Sequence, residues 1–88
     1  MDSFLNDLND EAQQEIEQLN QEIAELQDKI NNHEKEAKEL LEREARGQGV
    51  FAARVFELKQ GKMALLTEIQ HKKVRINHLL VNPGSREN

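Results

Sequence analysis

The residues able to carry chemistry are few. Glu68 and His71 stand three apart, the Glu-x-x-His spacing with which helical di-metal bundles present ligands to their core. That use needs both side chains inside and a second such pair on another helix, and no second Glu-x-x-His occurs in the sequence. His33 interrupts an otherwise apolar repeat, where it suits either a metal ligand or, more simply, a polar layer that fixes helix register. His78 follows Arg75 by three residues near an expected helix end, where a cation interacts favourably with the helix dipole. Lys72, Lys73 and Arg75 concentrate positive charge and open a nucleic-acid reading. No aromatic residue is interleaved with them, however, and the chain carries a net charge of −5. Gly47-x-Gly49 is followed by Val-Phe-Ala-Ala, without the Gly-Lys-Ser/Thr of a phosphate loop. Ser3 and Ser85 lie near the ends, and Thr67 has no evident base. The carboxylates of the first half are spaced as a solvated face. No nucleophile, acid-base pair or cofactor box emerges, so neither catalysis nor a bound metal or cofactor is expected.

The composition points the same way. With no cysteine, 88 residues hold no disulfide framework, thiolate metal site or cysteine nucleophile, which fits a reducing compartment. Charged residues make up 33%, aromatics 3%, and proline occurs once, a profile of helices and not of sandwiches or barrels. The apolar stretches are too short to span a bilayer, and the acidic start Met1-Asp2-Ser3-Phe4 lacks the basic and apolar regions of a signal peptide. The expectation is a soluble, intracellular, cytoplasmic protein with no membrane partner.

The elements that must position these side chains follow from periodicity. From Leu5 to Glu44 a heptad runs unbroken, with Ile16, Leu19, Ile23, Leu26, Ile30, His33, Ala37 and Leu40 on its a and d positions. A repeat of 3.5 residues makes a narrow seam along one helix, as in coiled coils. Gly47-Gln48-Gly49 suits a helix C-cap and a tight reversal. A second heptad then passes through Phe51, Val55, Leu58, Lys62, Leu65, Ile69, Lys72, Ile76 and Leu79, and stops at Asn82-Pro83-Gly84. These signals predict an all-α single domain: an N-terminal segment over 1–9, helix one over 10–46, a turn over 47–49, helix two over 50–81 and a polar tail over 82–88. Gly61, inside helix two, implies a kink or a close contact with another helix.

Folding the chain at Gly47-Gln48 brings together seam positions whose numbers sum to 95, among them Ile16 with Leu79, Leu19 with Ile76, Leu26 with Ile69, Ile30 with Leu65 and Leu40 with Val55. The same register places His33 opposite Lys62, which can reach past the seam toward Glu34 or Glu36, and on the flanks Glu22 near Arg75, Lys29 near Glu68 and Glu34 near Lys59, with Arg43 near Arg54 as a mismatch. Glu15, Glu17 and Glu22 lie alongside the basic cluster and would neutralise much of it. The halves also differ in charge. Residues 1–46 carry 14 acids and 5 bases, and residues 47–88 carry 3 acids and 7 bases.

A two-helix hairpin buries one stripe per helix, which stabilises so small a domain weakly. Helix two carries a second apolar line, Ala52, Phe56, Met63, Leu66 and Leu80, beside the first. Covering it calls for another helix, and two hairpins dimerising into a four-helix bundle would do so. The function expected is that of a non-enzymatic protein-protein interaction module, a small adaptor, regulator or chaperone-like hairpin acting through this face. A homodimer, a helical protein partner, or both would cover it. A nucleic-acid-binding hairpin dimer using the basic end of helix two is the alternative, and a metal-binding helical bundle the second; nucleic acid is not the expected partner.

Overall fold

A stripe of apolar residues on one helix stays dry only where a second helix covers it. In the computed structural model, which describes residues 10–81, that cover is the other half of the same chain. α1 spans Asp10–Ala45 and α2 spans Ala52–Val81, and they pack along their lengths as an antiparallel hairpin of 62 × 26 × 14 Å. The segments 1–9 and 82–88 lie outside the described residues. Neither of the described helices is long and apolar enough to cross a membrane.

The reversal is built from hydrogen bonds that a helix end leaves unmade. Gly47 adopts φ of 75°, the left-handed conformation that ends many helices. Its N–H donates to the Glu44 carbonyl at 3.0 Å, and the Gln48 N–H donates to the Arg43 carbonyl at 2.9 Å. These two bonds form a Schellman cap. Gly49, at φ of 146°, lies beneath the Phe51 ring, so closely that a β-carbon there would come within 2.8 Å of the ring. The heptad places the start of helix two at residue 50, whereas in the structure Val50 and Phe51 precede α2. The Phe51 N–H donates to the Glu44 carboxylate at 2.9 Å, and its carbonyl accepts the Val55 N–H at 2.9 Å. Phe51 is therefore the N-cap of α2. Its own side chain has no acceptor to offer, and the carboxylate that serves the cap comes from α1, where its charge also suits the positive end of α2. The Arg43 guanidinium carbon lies 4.8 Å from the centre of the Phe51 ring, a cation–π contact that ties the cap back to α1.

The register that this turn sets is visible in the core. Ile23, Leu26, Ile30 and Ile69 form a buried cluster with Leu65 and Ile76 packed against it. Val55, Leu58 and Leu79 are buried as well, and Ile16, Leu19 and Leu40 are half-buried. All twelve expected seam residues thus turn inward to some degree. With a single layer of two helices, the core is one side chain deep.

Nothing lies within 4 Å of where a β-carbon on Gly47 would stand, so the cost of filling that position is conformational alone. Gly47→Ala is expected to lower stability by about 1–2 kcal/mol, the cost of a left-handed residue with a side chain, seen as an earlier urea midpoint with an unchanged slope.

Candidate interaction face

Two lysines occupy seam positions, and a buried ammonium must be paired or reach water. Lys62 leaves the seam on one side and pairs with Glu34. Lys72 leaves on the opposite side and pairs with Glu22 at 2.9 Å. The expected flanking pairs are corrected accordingly. Glu34 takes Lys62, whose expected reach past the seam is thus met, and not Lys59, and Glu22 takes Lys72 instead of Arg75. Arg75 instead meets Glu15 through two bonds of 2.8 and 3.3 Å. Arg54 meets Glu36 through two bonds of 3.0 and 3.2 Å, and bonds Glu57 at 3.2 Å. A guanidinium that can grip both oxygens of a carboxylate reaches along the neighbouring helix to do so, which pairing by register alone does not capture. The mismatch of Arg43 with Arg54 dissolves in the same way, one turning to Phe51 and the other to Glu36. Lys29 and Glu68 line a common groove with Lys72.

His33 is half-buried at the level of Lys62, but its ring lies over Gly61. A β-carbon on Gly61 would stand 2.9 Å from the ring Nε2 and 3.0 Å from Cδ2. This is the close helix contact that a glycine inside α2 implies, and α2 runs unbroken through it. His33 Nδ1 lies 2.9 Å from the Lys29 carbonyl. A carbonyl only accepts, so it is the Nδ1–H that donates to it. The polar layer is thus a histidine seated on a glycine, with Lys62 turned away to Glu34.

At about 100° per residue, the ion pairs of Arg54, Lys72 and Arg75 all fall on one long side of the hairpin. The opposite long side carries the pair Glu34–Lys62, which bridges two adjoining grooves. The groove near the turn, of 250 Å³, is lined by Ala37, Leu41 and Leu58 with Lys38 and Lys59 at its rim. The groove beyond the bridge, of 380 Å³, is lined by Ile30, Leu66 and Ile69 with Gln27, Asn31 and Lys73. Ala52 and Leu80 lie on the same line of α2 as Leu66, two heptads before and after it. Phe56 and Met63 lie three residues before Lys59 and Leu66, next to them on the outer side. Of these, Leu41 is 47% exposed, Phe56 60%, Met63 62% and Leu66 41%. Ala52 is exposed and Leu80 half-buried. The expected second line is therefore an open apolar side that extends onto α1 through Leu41, a residue outside the α1 seam that heptad counting left without a partner. Val74 and Val81 are exposed on the back of α2.

The basic cluster is divided between these sides. Lys72 and Arg75 are held by Glu22 and Glu15, whereas Lys73 lines the apolar side. Glu68 and His71 have no third ligand, since among the described residues no three His, Cys, Asp or Glu side chains converge. No family model matches the chain, and comparisons with curated proteins and with solved structures return no match.

Helix propensity favours alanine over glycine by about 1 kcal/mol, but at position 61 the gain requires the His33 ring to leave the Lys29 carbonyl. Gly61→Ala alone is expected to fall short of that gain, and to reach it in a His33→Ala background. A double-mutant cycle in urea measures the coupling, and additive effects would show that the ring does not constrain the glycine.

The Glu22 carboxyl is held below its ordinary range by bonds from Gln18 and then Lys72, and the bond to Glu22 raises the Lys72 ammonium in turn. A lowered acid stabilises fully above its unfolded value of 4.5 and loses that contribution as pH falls through the folded value. A raised base stabilises fully below 10.5 and loses its contribution as pH rises further. The pair is therefore expected to add a small plateau between these limits, limited by solvent exposure. Melting followed by circular dichroism should show an acid decline that is shallower in Glu22→Gln than in the parent.

Proposed function

We propose that this chain is a non-enzymatic interaction module, an adaptor, regulator or chaperone-like hairpin that binds another protein surface through its apolar side. The observation that carries this reading is the inequality of the two long sides. One is closed by ion pairs and suits water; the other leaves Leu41, Phe56, Met63 and Leu66 exposed around two grooves between the helices. Contiguous apolar surface of this kind is typical of an interface. The grooves run along a helix pair, the shape into which a further helix lays its apolar face. Support for nucleic-acid binding is weaker, because two of the three cations that would make it are already engaged by carboxylates.

The reading predicts that Phe56→Glu with Leu66→Glu abolishes self-association and capture of protein from an extract, while helicity by circular dichroism is retained. If both associations persist in the double variant, the apolar side is not the interface. Salt-sensitive capture of RNA or DNA that falls on Lys72→Glu with Lys73→Glu would instead favour the basic end of α2.

A further inference from the structure

We infer that the occupant of the apolar side is a second copy of this chain, related by a two-fold axis parallel to the long axis of the hairpin, so that both turns lie at the same end. The inference rests on the apolar side being the interaction face and adds what covers it and in which orientation.

Size comes first. The side runs from Ala52 to Leu80, about 40 Å of helix, and is about two helices or 20 Å wide, which gives about 800 Å² per copy. That is the area each partner contributes to an ordinary stable interface. A second hairpin has the same length and width, and would add the layer that the 14 Å thickness of one hairpin lacks.

Charge then discriminates between the two ways of laying one hairpin face to face on another. α1 carries 12 acids and 4 bases, and α2 carries 6 bases and 2 acids. An axis across the hairpin would set α1 against the partner's α1 and α2 against the partner's α2, like charge on like. An axis along the hairpin sets α1 against the partner's α2 on both sides of the bundle, so that every neighbouring pair of helices is acidic with basic. Facing helices are antiparallel in both arrangements, so the choice falls to the side-chain charge.

The distribution of apolar residues makes the same choice independently. Leu41, Ala45, Ala52, Phe56 and Met63 lie in the half nearer the turn and Leu66 at the middle, whereas the far half on this side offers Gln13, Asn20 and Gln27 on α1 and Lys73 with Leu80 on α2. Placing both turns at one end brings apolar half to apolar half. The crosswise arrangement would cover each apolar half with the other copy's mostly polar half. In the favoured arrangement heights are preserved, so Asn31 lies near the partner's Met63, and Lys38 near the partner's Phe56.

The native sequence has no cysteine, so Gln48→Cys, in the exposed turn, carries a single nitroxide label in the full-length chain. Sedimentation gives the mass, and pulsed electron resonance gives the separation between the labels of two copies. The expected result is a dimer with labels about 20 Å apart, the width of two packed layers of helices. Leu66→Glu should halve the sedimenting mass with helicity kept, and Met63→Lys, at a more exposed position, provides the same test should the first variant fail to fold. A label separation near 62 Å, the full length of the hairpin, would overturn the orientation. A monomer at tens of micromolar would overturn the second copy as occupant, and if that monomer still captured another protein through Phe56 and Leu66, the interaction reading would stand without it. Self-association unaffected by either substitution would overturn both.

Discussion

The constraint on which the rest depends is the short connection from Ala45 to Ala52. A reversal made by two glycines fixes where the helices face each other, and in a seam of period 3.5 that choice settles every later pairing at once. The turn holds its register by more than conformational freedom. Glu44 and Phe51 are themselves a register pair, and the bond between the Glu44 carboxylate and the Phe51 N–H ties the last turn of α1 to the cap of α2. Slipping one helix against the other would break that bond and the ring contacts with Gly49 and Arg43 together. Moving along the hairpin, the same spacing brings Ile30 to Leu65 and Leu26 to Ile69, where the core cluster forms.

Given that register, the polar seam positions set which side of the hairpin is which. A lysine in a two-helix seam has two exits, and the acid within reach decides between them. Glu22 draws Lys72 to the side where Glu15 and Glu36 grip the two arginines, so the ion pairs accumulate there. Glu34 draws Lys62 to the other, where it bridges two grooves without filling them. Exposed ion pairs of this kind contribute little to stability each. Their more important effect is on surface character, since one side presents satisfied charge and the other is left with Leu41, Phe56, Met63 and Leu66.

The hairpin was legible from the sequence because periodicity, glycine placement and charge asymmetry all encode the same register, and each alone would have left the reversal open. The seam residues could be named because a heptad places side chains by counting. Three features were not legible. Phe51 reads as a seam residue, yet it caps α2, because its backbone is recruited by a carboxylate seven residues earlier. The exit of Lys62 to Glu34 and the acids that hold the basic cluster could be read from the sequence, but which carboxylate each arginine grips could not, because the reach of arginine is a property of side-chain length, not of heptad position. Gly61 was recognisable as an anomaly, but its partner emerged only when His33 was seen to point its ring at the opposite backbone. The apolar side was half legible: the line on α2 follows from counting, whereas the contribution of Leu41 appears only when α1 and α2 are set side by side.

The His33 and Gly61 contact shows how a small helical protein can mark one layer of its core by shape. A histidine held by the Lys29 carbonyl presents a flat ring edge to α2, and only glycine leaves the space for it. Shifting the register by a heptad in either direction would bring the ring against Arg54 or Glu68, whose side chains fill the space that the ring needs. The apolar pairs tolerate such a slip far better, since leucine, isoleucine and valine recur along the seam. The layer where a large planar side chain meets the absence of one therefore resists a heptad slip in a way that the apolar layers on either side of it do not.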